Sequence, residues 1–353
     1  MPLRILMLKS QSAGIGDLLR GSAAWRALKD RFPGAELHLL FLTREPGYSS
    51  ERFIARHHLL NSFCSLDKRT KGIAGWRKLF LAAKAYAETF HPDLIIDFEP
   101  KGARTSLLAF LLGRSLGATT VGINEVPLRG AFYDLVAVSN KTFATQRGLP
   151  EWFEYTNRDF VALSALGIER GHTAIELEET IEGREFREQF RRRHGLPENA
   201  RLLGLNIGCG TPGAITRRPS LPLLSKLTAQ LEKTYNLHLV VGLGSPAEAE
   251  VDREFVELHK LDSDAPVINL NGKTSLLELS GLIKTCDLFI TGDTGPYHMA
   301  VGLRTPTLTV FNHEYSIAYH SHPWVKCVVA ANLEDVPRLA HAADELLAAK
   351  PPQ

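Results

Sequence analysis

Two short stretches combine residue types that could do chemistry. The first, Gly14-Ile15-Gly16-Asp17, directly follows an apolar run, Leu3–Leu8. Its glycines allow a tight turn and a close ligand approach, and a helix starting there offers unpaired N–H groups. Asp17 sits where a bound phosphate would have to lie. A carboxylate there repels phosphate but can accept a proton from a hydroxyl; equally, it can simply cap the helix. The second stretch, Thr291-Gly292-Asp293-Thr294-Gly295-Pro296-Tyr297-His298, follows the run Asp287–Thr291. It is a strand-to-helix turn with a cap, a flexible Gly and a Pro suited to the first helical turn. Its free N–H groups make an anion site without a metal. Thr294 adds a hydroxyl and His298 lies one turn along. The plain alternative is a well-capped core helix with a buried histidine.

Other features fit an anionic ligand. Gly208-Cys209-Gly210-Thr211 follows a strand, and Arg217-Arg218 comes shortly after. Cations beside such a turn neutralise a diphosphate, or they are loop surface. Glu248, after Gly242-Leu243-Gly244-Ser245-Pro246-Ala247, can hold the vicinal hydroxyls of a ribose or occupy a helix's first turn, where the dipole favours an acid. Gly272-Lys273-Thr274-Ser275-Leu276 lacks the upstream Gly of a P-loop and predicts a cap for a helix over Leu276–Lys284.

Several chemistries are excluded. A dinucleotide fingerprint needs a small residue where Leu19 stands, and an acid where the second strand ends in Thr43-Arg44-Glu45. No G-x-S-x-G marks a serine hydrolase. His57-His58, His313, His320 and His322 are scattered and no H-E-x-x-H occurs, so no metal site and no cofactor are expected.

The elements that must position these residues alternate. Strands are predicted over Leu3–Leu8, Glu36–Leu42, Asp93–Asp97 and Thr119–Gly122, then Arg201–Ile207, Leu237–Leu243, Val267–Leu270, Asp287–Thr291 and Thr307–Phe311. Helical stretches lie between most of them, among them Leu18–Arg31. The pattern predicts two parallel sheets covered by helices, with ligands at the carboxyl ends of the strands. The boundary falls between about 165 and 198 by the charge-rich stretch there, giving domains 1–175 and 176–353. The last helix belongs with the second domain or packs back on the first. Within the boundary stretch, Arg191-Arg192-Arg193-His194 is either the solvated end of a helix or a lipid-phosphate patch.

Length and composition agree. The 353 residues suit two domains, and 44% hydrophobic with 23% charged residues is globular. A net charge of +2 gives no global attraction to nucleic acid. The four cysteines form no CxxC pair and point to a reducing compartment. No apolar run approaches the roughly 20 residues of a membrane span, and the start has no signal-peptide cleavage site. A cytoplasmic protein is expected, with peripheral membrane contact needing only a surface patch.

The residues together resemble a family. Gly16-Asp17-Leu18-Leu19 with Leu28-Lys29 and Phe32-Pro33, then Asp97-Phe98-Glu99-Pro100 with Arg104-Thr105-Ser106, is similar to the acceptor half of the ADP-heptose:lipopolysaccharide heptosyltransferases, glycosyltransferase family 9. Asp293-Thr294-Gly295-Pro296-Tyr297-His298 with Thr305-Pro306-Thr307 resembles their nucleotide-sugar half. The resemblance implies a GT-B fold, two Rossmann-like doubly wound domains facing a central cleft, with residues 1–175 binding the acceptor and 176–353 the nucleotide sugar. It also implies inverting, metal-independent transfer of a heptose from ADP-heptose to a lipopolysaccharide core sugar, at or near the cytoplasmic face of the inner membrane.

The same resemblance makes Asp17 the general base. It puts Asp293, Thr294, Gly295 and His298 on the sugar and diphosphate, Arg217 or Arg218 on the diphosphate, Glu248 and Thr274 on the nucleoside, and Thr211 on the phosphate side. Gly16, Asp97, Lys101 and Arg104 would face the acceptor. The chain departs from the family in having Arg217 for a lysine, Pro219-Ser220 for a Trp-Pro pair, and Asn312-His313-Glu314 after Phe311. Arg keeps the charge of Lys with a different geometry. Other outcomes on these motifs are a GT-B transferase with another donor or glycan, a nucleotide-sugar epimerase, a sugar-binding relative without activity, and, as a poorer match, an NADP oxidoreductase using Arg44.

Overall fold

A computed structural model describes residues 1–10, 14–150, 155–208, 218–270, 273–312 and 320–349. The chain divides into two units, Met1–Ile175 and Glu176–Gln353. Each is built on a six-stranded parallel sheet.

In the first unit the strands are β1 (Arg4–Lys9), β2 (Glu36–Thr43), β3 (Ser62–Asp67), β4 (Leu94–Asp97), β5 (Thr119–Ile123) and β6 (Leu135–Ala137). Their order is β3-β2-β1-β4-β5-β6. Ile5, Leu6, Met7 and Leu8 are all fully buried, because helices cover both faces of the central strand. On one face Leu6, Leu8, Leu40 and Ile95 pack against Leu108 and Leu112 of helix Ala103–Leu116 and Leu79 of helix Gly72–Glu88.

The second unit repeats the plan with β7 (Arg201–Asn206), β8 (Leu237–Val241), β9 (Ile268–Asn269), β10 (Leu288–Thr291), β11 (Thr307–Phe311) and β12 (Val325–Val329), in the order β12-β11-β10-β7-β8-β9. Its core joins Leu203, Leu205, Leu239 and Ile290 to Leu223 and Leu227 of helix Leu221–Tyr235. The last helix, Val336–Ala348, packs Leu339, Ala343 and Leu346 into this same core.

In each parallel sheet the order of strand addition thus switches sides once, between β1 and β4 and between β7 and β10. A ligand crevice is expected outside the carboxyl ends at such a point. Both motifs singled out in the sequence emerge there: Asp17 after β1, Thr294 after β10.

Two expectations shift in detail. The helix predicted over Leu18–Arg31 is two helices, Ile15–Leu19 and Ser22–Arg31. The break falls at Arg20–Gly21, where the Gly21 N–H reaches the Leu18 carbonyl at 3.2 Å; a side chain at Gly21 would press on the Trp25 ring at 3.1 Å. Strands β3, β6 and β12 were not anticipated. All three are sheet edges whose side chains are largely half-exposed or exposed; β3 mixes Ser62, Ser65 and Asp67 into its run, β6 is three residues long and Lys326 interrupts β12, so none carries a strong strand signal.

Candidate functional site

At the end of β1 the chain is held by charged groups. Lys9 Nζ lies 2.6 Å from Asp159 Oδ2, a pair almost wholly withdrawn from solvent. The next residue, Ser10, donates its N–H to Glu99 Oε1 at 2.8 Å, and Lys68 Nζ reaches Ser10 Oγ at 3.4 Å. Burial pushes the Glu99 carboxyl up to about 7, helped by nearby Asp97. Burial also pulls the Lys68 ammonium down. Glu99 and Lys68 were given no role by the sequence. Glu99 lies inside a quoted motif; nothing local marks Lys68.

Gly14 holds the N-cap position of helix Ile15–Leu19, so Asp17 is not its cap residue but lies in the first turn. Its carboxylate pairs with the Arg20 guanidinium, which also donates to the Gly16 carbonyl at 3.2 Å. The Asp17 side chain keeps 28% of its surface, while Gly16 is buried.

The expected acceptor residues separate. Lys101 and Arg104 are exposed, and Arg104 ties down the chain after β3 through the carbonyls of Lys68 and Thr70. Asp97 does not face outward. It is fully buried, its Oδ2 accepting from Arg129 at 3.0 Å and from Tyr133 Oη at 2.7 Å, with Ser106 Oγ closing the network. Burial pushes its carboxyl up, against the opposing pull of Arg129. Register explains the enclosure: Asp97 pairs with Leu8 on the central strand. This carboxylate holds the carboxyl end of β4 together and is closed to an acceptor.

In the second unit, Thr294 stands at the N-cap of helix Gly295–Gly302, but its hydroxyl does not cap the helix. It is held sideways by Asn206 Nδ2 at 3.0 Å and Thr291 Oγ1 at 3.2 Å. Asn206 and Thr291 are register partners on β7 and β10. Asn206 Oδ1 also accepts the Gly208 N–H at 3.2 Å. One buried amide therefore joins both strand exits of the switch point. Sequence reasoning missed it; the only trace is a polar residue closing the apolar run of β7.

Glu248 completes this corner. A Cβ on Gly208 would fall 1.7 Å from its carboxyl carbon, and one on Gly244 2.2 Å from Oε2. These two glycines are what let the carboxylate lie across the exits of β7 and β8, where Oε2 accepts the Ser245 N–H at 3.1 Å. Only 4% of Glu248 is exposed, and it also stands at the N-cap of helix Ala249–His259. Asp252, one turn on, is pushed up to about 7 by burial and by Glu248, against the pull of Arg218. Arg218 is half-buried with an Nε that finds no hydrogen bond among the described residues.

Thr274 precedes the Ser275–Glu278 capping box of helix Leu276–Thr285, the predicted cap; its own Oγ1 is buried without a hydrogen bond among the described residues. Asp293 is half-buried and His298 buried. Thr211 and Arg217 lie outside the described residues. The Arg191 cluster ends helix Ile181–Arg193, and Arg191 itself is used on the carbonyls of Pro197, Glu198 and Ala200. Among the described residues no group of three or more His, Cys, Asp or Glu could hold a metal ion.

Part of this corner lies inside a stretch with known relatives. Residues 225–338 match glycosyltransferase family 9 (heptosyltransferase). The family 9 stretch thus contains Glu248, Thr274, Asp293, Thr294, Gly295 and His298. Lipopolysaccharide heptosyltransferase 1 of Campylobacter coli is 31% identical over 116 residues, 33% of each chain. Lipooligosaccharide heptosyltransferase 2 of Campylobacter jejuni is 30% identical over 126 residues, 36% of this chain and 38% of that protein. The matched stretch spans about a third of these relatives' length.

Solved structures extend the likeness across the whole chain. The family 9 glycosyl transferase of Veillonella parvula superposes with a TM-score of 0.67 at 17% identity, covering 97% of both chains. E. coli ADP-heptose lps heptosyltransferase II gives 0.66 at 16%, covering 98% of both. An E. coli heptosyltransferase solved with ADP gives 0.60 at 17%, covering 98% of this chain and 99% of that one. At such identities the likeness is one of fold, and the fold is GT-B.

Proposed function

We propose that this protein is an inverting, metal-independent glycosyltransferase that moves a heptose from ADP-heptose to a sugar of the lipopolysaccharide core. The second unit holds the donor. The start of helix Gly295–Gly302, with Thr294, His298 and Asp293, takes the diphosphate and sugar, and Glu248 and Thr274 take the nucleoside. Arg217 or Arg218 supplies the positive charge that a metal supplies elsewhere. The first unit supplies the base: Asp17 removes the proton of an acceptor hydroxyl as that oxygen attacks the anomeric carbon opposite the departing ADP. Charge growing on the diphosphate meets fixed N–H dipoles and a guanidinium, which need no rearrangement at the moment of transfer.

The observation that carries this is the second switch point. There the Thr294 hydroxyl is turned away from capping and held by Asn206, leaving the helix start to another acceptor. For the acceptor, the exposed cations Lys101 and Arg104 suit the carboxylates and phosphates of a lipopolysaccharide core. No described helix is long and apolar enough to cross a membrane. We place the protein in the cytoplasm, touching the inner membrane only at its surface.

The test is to incubate the purified protein with a panel of ADP-, UDP- and GDP-sugars and lipopolysaccharide cores. Expected are ADP release only with ADP-heptose and a core acceptor, full rate in chelator, and product of inverted anomeric configuration by NMR. Donor turnover without any acceptor would favour an epimerase, and binding of ADP-heptose with no turnover a non-catalytic relative.

A further inference from the structure

Residues 320–324 lie along helix Gly295–Gly302. His320 donates its backbone N–H to Tyr297 Oη at 3.0 Å, and Trp324 Nε1 donates to the Val301 carbonyl at 3.0 Å. His322 stacks on Trp324 with centroids 4.7 Å apart, and the Arg304 guanidinium lies 5.7 Å over that ring. The strap is therefore fixed on the helix at positions 297 and 301. Between these anchors the rings of His298 and His320 meet edge to face, with Nδ1 of His298 3.0 Å from Nε2 of His320. Both side chains are buried.

A hydrogen bond between two imidazole nitrogens holds one proton, so one ring donates and the other accepts. Which nitrogen of a histidine carries the proton is set by the bond its other nitrogen makes. If Nδ1 of His298 accepts, its proton must sit on Nε2, the ring nitrogen that the His320 bond does not use.

We propose that His320 is a positioning residue for His298. Its Nε2–H donates to Nδ1 of His298, fixes the ring plane, and holds His298 as the Nε2–H tautomer that donates to the departing diphosphate. Both the tautomer and the bond at its receiving end rest on the donor assignment proposed above. A neutral donor of fixed orientation serves a diphosphate better than a ring free to offer a lone pair to the same oxygen.

The experiment uses the full-length protein labelled with ¹⁵N-histidine. Long-range ¹H–¹⁵N correlation reads the His298 tautomer in wild type, His320→Phe and His320→Gln. Turnover of ADP-heptose and thermal unfolding are measured on the same samples. Wild type should show His298 protonated on Nε2 alone. In His320→Phe the signal should become a tautomer mixture and kcat should fall about tenfold or more, as for loss of an orienting partner, with the donor KM changing far less. In His320→Gln, whose amide N–H can take over the bond, tautomer and rate should largely return. A wild-type His298 protonated on Nδ1, or a His320→Phe protein with unchanged tautomer and kcat, overturns the assignment. So does an equal loss in both variants, which marks packing alone. If no ADP-sugar is turned over, the donor assignment fails while the ¹⁵N spectrum still decides the positioning role.

Discussion

The Nδ2 group of Asn206 and the Oγ1 of Thr294 lie 3.0 Å apart, buried, from positions 88 residues apart in the chain. This bond sets the direction of the Thr294 hydroxyl. In Asn206→Ala it goes, together with the acceptor for the Gly208 N–H. Leaving buried polar groups unpaired costs about 1–3 kcal/mol. Thermal unfolding should shift down accordingly, and calorimetry should show ADP affinity weakened by about tenfold, the equivalent of 1.4 kcal/mol. Asn206→Asp keeps the acceptor for Gly208 but loses the donor to Thr294 and places a negative charge beside the proposed diphosphate site, so its ADP affinity should be lower still. ADP binding at wild-type strength in both variants would detach this corner from the donor.

Asp17 calls for the opposite signature. Asparagine keeps the shape and the polar contact to Arg20 but cannot take a proton. If Asp17 is the general base, Asp17→Asn should lower kcat by about 10²–10⁴ while ADP affinity stays near wild type, since the proposed donor residues are in the other unit. Steady-state kinetics and ADP titration on one sample separate the two effects. Turnover at the wild-type rate removes Asp17 from this role.

How far these features could be read from residues alone depended on how local they are. Interior strands such as β1 and β10 announce themselves because both faces are buried, which leaves the runs Ile5–Leu8 and Leu288–Ile290 wholly apolar. Edge strands β3, β6 and β12 meet solvent: β3 carries mixed residues, β6 is three residues long and Lys326 interrupts β12, so little in their sequence forces a strand. Asp17 and Thr294 were visible since a glycine-rich turn between strand and helix is a contiguous signal. Asn206, Glu99 and His320 were not, because each acts through a partner distant in the chain: Thr294, Ser10 and His298. Asp97 shows the converse error. Its motif is contiguous and polar, yet the register that buries it beside Leu8 is a property of the sheet.

Asp97 and Arg129 make a structural prediction. Removing one partner of a buried ion pair leaves the other charge uncompensated and costs about 3–5 kcal/mol. Arg129→Met should therefore lower the urea midpoint strongly. The double variant Arg129→Met, Asp97→Leu should regain part of that loss. If Asp97 served the acceptor instead, Asp97→Asn would raise the acceptor KM with little change in stability.

Asp252 gives a pH dependence whose sign follows from its position. Its carboxyl titrates near 7 when folded, against 3.8 for the ordinary side chain. Between those values the folded protein binds a proton that the unfolded chain has released, so stability falls as pH rises through the window and the full penalty is present above about 7. The causes are burial and the neighbouring Glu248, with Arg218 opposing. Asp252→Asn removes the charge without emptying the space. It should match wild type in thermal unfolding near about pH 4, where Asp252 is protonated in the folded protein, and exceed it by a growing margin up to about pH 8. Arg218→Ala should do the reverse, steepening the wild-type decline, because the cation that moderates Asp252 is gone. An Asp252→Asn curve parallel to wild type across the whole range would mean that this carboxyl is ionised at no cost in the folded state, and that Glu248 and Asp252 do not share one enclosed corner.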